Sequence, residues 1–224
     1  MAETSLRDLL AALHAERERT WEPAALQLNI DQRRELVEAA DPSTWPQVGA
    51  PLPDFELEEV DGERLTLAGL TAAGPAVLIF FRFAGCPACN IALPFYERTL
   101  ATGLRDLGAR LVAVSPQVPE RLVEIKRRHT LSFEVASDRD NVLGRKLGVL
   151  YTANAATQAA SRAKGAFIGD ITGTGTWELP QPAVVVIGQD RRARFVDVSP
   201  DWLVRTEAGP ILTAVRALTL VAAQ

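Results

Sequence analysis

The chain has 224 residues, 47% of them hydrophobic, and a formal net charge of -4. That size predicts one substantial core with an extension rather than two full domains. The acidic balance offers no electrostatic footprint for nucleic acid or an anionic membrane surface, and the longest apolar runs fall far short of the roughly 20 residues a membrane span needs.

The first ten residues mix charges of both signs with leucines and lack the basic-then-apolar order of a secretory signal, so a cytoplasmic location is expected. Leu6, Leu9, Leu10 and Leu13 recur at helical spacing, predicting an amphipathic helix from Leu6 to about Arg19. Pro23 suits the first turn of a second helix with Leu26, Ile30 and Val37 on one face. Asp41-Pro-Ser-Thr-Trp-Pro46 then breaks the pattern. The expected division is a helical N-terminal extension over 1–46 and a core domain over 47–224. The apolar stripes of the extension fit either packing on that core or a homodimer contact.

Phe55, Leu57, Leu65 and Leu67 alternate around Asp61-Gly62, a hairpin signal. Ala76–Phe81 is unbroken apolar sequence, as in a central strand covered on both faces. Helical character follows from Pro87, with a kink expected at Pro94. Arg110–Val114 reads as a strand, Val118–His129 as a helix, Phe133–Ala136 as a strand and Asn141–Leu147 as a helix. The Ala-, Gly- and Thr-rich stretch after it carries no clear period. Ala183–Ile187 and Arg194–Val198 flank Gly188-Gln-Asp190 as a second hairpin, and Ala208–Val221 closes the chain as a helix. Alternating strands and helices of this kind make an α/β fold with a central mixed sheet.

The sequence holds two cysteines, both in Cys86-Pro-Ala-Cys89. A thiolate is the reactive form of cysteine, so a catalytic thiol needs stabilised negative charge. Cys86 follows a buried strand and precedes Pro87, a favoured first helical residue, which predicts an exposed helix cap whose free N–H groups face the sulfur and lower its pKa. Cys89 lies one turn on, within reach of a disulfide. Arg82 stands at the strand end, either adding positive charge to the site or lying in solvent. A stapling disulfide is a weak alternative because so short a loop removes little chain entropy. Structural zinc needs four ligands, and beyond the pair the chain has only His14 and His129, so no metal is expected. His129, after Lys126-Arg-Arg128, reads as a solvated basic helix end, and Tyr96 as a packing residue. The glycine-rich segments at 165–170 and 173–176 lack a full nucleotide-binding pattern, so no cofactor is expected.

Several blocks together resemble the peroxiredoxin-like branch of the alkyl hydroperoxide reductase / thiol-specific antioxidant family. They are Gly49-Ala-Pro-Leu-Pro-Asp-Phe, Phe81-Arg-Phe-Ala-Gly-Cys-Pro-Ala-Cys-Asn, Leu111-Val-Ala-Val-Ser-Pro-Gln, Ser137-Asp138 with Leu147-Gly-Val149, Trp177-Glu-Leu-Pro-Gln-Pro-Ala and Asp201-Trp-Leu-Val-Arg-Thr-Glu. The resemblance implies a thioredoxin-like fold and reduction of hydroperoxides by a dithiol/disulfide cycle, with a thioredoxin-like protein or small thiol as reductant. It also implies a proline, usually cis, beside the sulfurs; Pro182, ahead of a core strand, matches that position. Trp177 is expected to wall the pocket. From its exposed helix-cap position Cys86 is assigned the attack and Cys89 the resolving role, an order that alignment with the family could reverse.

Two departures stand against the family pattern. The threonine expected three residues before the attacking cysteine is replaced by Phe83 if Cys86 attacks, or by Cys86 itself if Cys89 does. The later arginine position is taken by Pro182. These departures leave open a rival, a thioredoxin-like disulfide reductase with little peroxidase activity; a separate alternative is a redox-sensing or binding module in which the N-terminal helices are the functional surface and the dithiol is a switch.

Overall fold

A computed structural model describes residues 4–222, with side chains through residue 219. Helix α1 (Leu6–Thr20) is followed by α2 (Pro23–Glu38), with Pro23 at its start as the sequence predicts. The core begins with the hairpin β1 (Glu56–Glu59) and β2 (Arg64–Thr66), then α3 (Leu67–Thr71), β3 (Ala76–Phe80) and α4 (Pro87–Tyr96). Pro94 removes one N–H from the helical ladder, and after it the helix widens into a π turn over Glu97–Ala101 before α5 (Thr102–Asp106). There follow β4 (Arg110–Ser115), α6 (Pro119–Arg128), β5 (Glu134–Ser137) and α7 (Val142–Lys146).

The aperiodic stretch that follows is folded, as β6 (Leu150–Thr152), α8 (Ala155–Ala163), α9 (Ile168–Thr172) and β7 (Glu178–Pro180). Helix α8 carries no fully buried residue, and its apolar positions are all alanine, a weak signal for a sequence pattern to register. Its start is fixed by Asn154, whose Oδ1 accepts from Thr157 N at 2.8 Å. The chain closes with β8 (Ala183–Ile187), β9 (Ala193–Val198) and α10 (Ala208–Ala222).

Seven strands form one sheet in the order β2-β1-β5-β4-β3-β8-β9, and β6 pairs with β7 separately. Strands β3, β4 and β5 run parallel, while β8 pairs antiparallel with both β3 and β9. This is the mixed sheet of a thioredoxin-like fold. Every residue of β3 and β8 is buried, which is why both read as continuous apolar runs.

The α1 stripe is spent on this core: Leu6 and Leu10 are fully buried, and the helix packs on α4. Its N-terminus is capped by Ser5 Oγ and, from two hundred residues away, by Glu207, whose carboxylate accepts from Leu6 N at 3.2 Å and Arg7 N at 2.9 Å. Helix α2 is held differently. Its buried residues are Gln32 and Arg33: Gln32 Oε1 accepts from Asn154 N at 2.7 Å, and Arg33 pairs with Asp201 at 2.9 Å. No described helix is long and apolar enough to cross a membrane.

Candidate active site

The dithiol sits where β3 turns into α4, and polar contacts fix the turn. Phe81 N still pairs with Val114 O, Ser115 Oγ donates to Arg82 O at 3.0 Å, and Ala84 N donates to Gln117 Oε1 at 2.8 Å. Asn90 closes the loop from the helix side: its Nδ2 donates to Ala84 O at 2.7 Å and Cys86 O at 2.9 Å. Its Oδ1 lies 2.8 Å from His129 Nε2, so His129 is part of the site's outer bracing rather than a solvated helix end. Cys86 is the N-cap of α4 and Pro87 its first residue, exposed, as the sequence predicts.

The electrostatics differ from the expectation. Cys86 is buried, not exposed, and its sulfur makes no capping bond to the helix N–H groups. Its thiol donates to Cys89; that bond and burial push its pKa well above the ordinary value. Burial alone would raise the fully buried Cys89 too. There it is outweighed by the hydrogen bond from Cys86, by the charge and hydrogen bond of Arg205, and by the backbone N–H of Arg82, so the Cys89 thiol falls well below its ordinary range. The stabilised anion is therefore on Cys89, reversing the order expected from helix capping.

Arg205 places Nη2 at 3.4 Å from Cys89 Sγ and is anchored by Nε on Trp202 O at 3.2 Å. Arg82 approaches from the other side, stacked over Trp202 with its guanidinium carbon 4.4 Å from the ring centroid and bonded to Tyr151. Tyr151 in turn stacks on Trp202, with centroids 6.0 Å apart. Tyr96 donates its hydroxyl to Thr206 O at 2.7 Å, so it packs and also holds the segment carrying Arg205. The segment between β9 and α10 thus ties Asp201 to α2, Trp202 to Arg82, Arg205 to Cys89, Thr206 to Tyr96 and Glu207 to α1.

Of the residues expected at the site, Cys86, Cys89, Arg82 and Pro87 come together. Pro182 is buried nearby, sharing with Tyr96 and Arg205 a void of about 10 Å³, too small for a water. Its peptide bond is trans, as are all described bonds. The chain runs extended from β7 through Gln181, whose N donates to Val149 O, into β8, with no turn for a cis bond to make. Trp177 does not wall the site: it packs on Phe167 with centroids 4.7 Å apart and lies under Arg162. Those partners come from the segment that showed no sequence period. Trp202 takes the place expected of Trp177. Arg205 and Trp202 went unremarked as site residues although their block, Asp201 to Glu207, is one of those carrying the family resemblance.

Residues 48–196 match the AhpC/TSA family. The chain belongs to this family. As a member with this fold it is a thiol-dependent peroxidase, an oxidoreductase of the antioxidant class. No curated protein sequence matches it. Among solved structures it is similar to the peroxidoxin BcpB of Mycobacterium tuberculosis, at 21% identity and TM-score 0.60, covering 77% of this chain and 98% of that one. A peroxiredoxin-like protein from Aquifex aeolicus gives 18% and 0.61, covering 78% and 88%. A yeast mitochondrial 1-Cys peroxiredoxin, described with thiol resolution via glutathione/thioredoxin systems, gives 14% and 0.58, covering 79% and 78%. At these identities the likeness is one of fold. The family match leaves out α1, which packs on α4, α2, Trp202 against Arg82, and Arg205 on Cys89.

Proposed function

We propose that Cys89 is the attacking thiolate of this AhpC/TSA peroxidase and Cys86 the resolving thiol. The observation that carries this reading is the convergence on Cys89 Sγ of Arg205 Nη2, at 3.4 Å, and the Cys86 thiol. With Cys89 as nucleophile, Cys86 stands three residues before it, where the family's threonine is expected, and donates S–H as that hydroxyl would. Arg205 supplies the positive charge missing at Pro182. Arg82 adds a second cation.

Cys89 S⁻ attacks the terminal peroxide oxygen; the O–O bond breaks and the other oxygen leaves with a proton as alcohol or water. Donors placed where that charge develops lower the barrier, and Arg82 and Arg205 are such donors. Cys89 is left as a sulfenic acid. Cys86 sulfur then attacks it, a water departs, and the Cys86–Cys89 disulfide closes, the two thiols having given up two electrons. A thioredoxin-like protein or a small thiol reopens it by exchange. The family and the yeast neighbour, whose thiol is resolved via glutathione/thioredoxin systems, support that class of reductant.

Single-turnover reaction with hydrogen peroxide tests the order of attack. Cys86→Ser is expected to consume one equivalent and yield a trappable sulfenic acid on Cys89, whereas Cys89→Ser stays unreactive. The opposite pattern would return the attacking role to Cys86.

A further inference from the structure

Arg17 follows Leu6 on α1 by about three helical turns, so it continues the buried stripe of Leu6 and Leu10 instead of joining the charged face. It is 6% exposed, on the helix that packs against α4 and its dithiol. Its guanidinium carbon lies 4.8 Å from the Trp21 ring centroid, and its buried Nη1 has no hydrogen-bond partner. A buried arginine without an ion pair is uncommon and costly. Burial lowers the Arg17 pKa, and the charge of an ionised Cys86 opposes that more strongly than any other group; Arg33 and Arg82 add to the lowering, and Glu16 acts more weakly than either. A guanidinium stays protonated through such a shift. The charge of Arg33 is met by Asp201 at 2.9 Å. Among the described residues, that of Arg17 has no such partner until Cys86 ionises.

We infer that Arg17 serves the resolving step: its charge stabilises the Cys86 thiolate that closes the disulfide on oxidised Cys89. The inference rests on Cys89 being the nucleophile. In the reduced protein Cys86 is held as a thiol by its hydrogen bond to Cys89, by burial and by the Cys89 charge, against the pull of Arg82 and Arg205. Peroxide removes the first and last of these restraints. The sulfenic acid on Cys89 reacts in its neutral form, which leaves Cys86 without an anionic neighbour and still surrounded by cations. Arg82 and Arg205 act on both sulfurs, whereas the sulfur on which Arg17 acts most strongly is Cys86. Cys86 gives up its proton, and its sulfur bonds to Cys89 as the S–O bond breaks. The departing hydroxide takes a proton and leaves as water; Cys86 is oxidised and the sulfenic sulfur is reduced to the disulfide level. Arg17 acts at a distance, so it is a positioning residue. It comes from α1, outside the family match over 48–196, and thus ties the N-terminal extension to the rate of the cycle.

The two steps are timed separately. The parent, Arg17→Met and Arg17→Lys are mixed with a small excess of hydrogen peroxide, quenched with a thiol-alkylating reagent and resolved by intact mass into reduced, sulfenic and disulfide protein. Sulfenic acid should form within about twofold of the parent rate in both variants, which also shows that the site is folded. At a pH below the Cys86 pKa of the intermediate, disulfide closure should be about three- to tenfold slower in Arg17→Met, and Arg17→Lys should restore most of it. Besides Arg17, the groups facing Cys86 are the oxidised Cys89, Arg82, Tyr151 and Arg205; burial holds the Tyr151 phenol above its usual range, and both arginines are shifted upward. The closure rate should therefore rise with pH as Cys86 ionises, with Arg17→Met moving the rise to higher pH and approaching the parent rate above it. At high peroxide, slower closure gives a second peroxide time to oxidise the sulfenate to sulfinate with release of water, so Arg17→Met should accumulate more of that product. Closure unchanged in Arg17→Met, or slowed equally at every pH and not restored by lysine, would overturn the inference and leave the Cys89 assignment standing. A slower first step with unchanged closure, and sulfenic acid trapped on Cys86, would refute the Cys89 assignment and the inference with it.

Discussion

Replacing Arg205 by methionine removes the guanidinium while keeping much of the side chain's buried length. A hydrogen bond to a charged partner is worth about 1.5–3 kcal/mol. Arg205 is buried, with Nη2 at 3.4 Å from the sulfur, so solvent screening removes little of that. Divided by about 1.4 kcal/mol per pKa unit, the loss raises the Cys89 thiol pKa by about one to two. Thiolate absorbance near 240 nm, followed against pH in the reduced protein, reads the change directly. At a pH below the Cys89 pKa of both proteins, the second-order rate constant with hydrogen peroxide should fall by about ten- to a hundredfold from the ionisation effect, and this loss should shrink as pH rises. Arg205→Lys should recover more of the pKa than of the rate, because a lysine is a point charge without the planar fork. If Arg205→Met left the thiolate titration and the rate within twofold of the parent, the guanidinium would not be what stabilises the anion, and the assignment of Cys89 would lose its main support.

Glu207→Ala uncaps α1 and leaves two N–H groups without their carboxylate; a loss of about 1–2 kcal/mol is expected in urea unfolding. Leu10→Ala should cost about 2–5 kcal/mol, because α1 belongs to the same core as the dithiol; a cost under 1 kcal/mol would mark α1 as an appendage. Stability of the reduced protein should also depend on pH through both thiols. The folded pKa of Cys89 is depressed, so its contribution grows as pH rises through that value and is complete above the free-thiol pKa of about 8.5. The folded pKa of Cys86 is raised, so its contribution is full below about 8.5 and is lost as pH climbs through the folded value. The pair together therefore stabilises most near pH 8.5, and a Cys86→Ser/Cys89→Ser protein should lack that maximum in its urea midpoints.

Residues that report through periodicity were legible in the sequence. Strand β3, the start of α4 at Pro87, both hairpins and α1 all follow from apolar spacing and from proline and glycine placement. Helix α8 was not, because it buries no residue fully and the face it turns toward α2 carries alanine and small polar side chains rather than large apolar ones. The polarity of the dithiol was hidden for a different reason. Helix capping is local and favours Cys86, whereas the cation that favours Cys89 is Arg205, 116 residues beyond Cys89. Trp177 was expected at the pocket from its place shortly before Pro182. Phe167 and Arg162, in the segment without period, draw it away.

The same arrangement bears on how the cycle is driven. Arg82 and Arg205 are both directed at the sulfurs; Arg82 also stacks on Trp202 and meets Tyr151, and Arg205 also donates to Trp202 O and lies near Tyr96. In the reduced state the Cys89 thiolate balances them. Closing the disulfide removes that anion and leaves two poorly solvated cations facing a neutral bond, an arrangement that costs several kcal/mol when no other charge replaces it. Whatever stabilises the dithiol relative to the disulfide makes the disulfide more oxidising. The arginines that prepare Cys89 for peroxide thus also favour prompt reduction of the product disulfide, and Arg205→Met should make the Cys86–Cys89 bond harder to reduce as well as slower to form. Equilibration of parent and variant with a glutathione redox buffer measures that difference. An unchanged midpoint would mean that the cations are balanced in the oxidised state by a group other than Cys89.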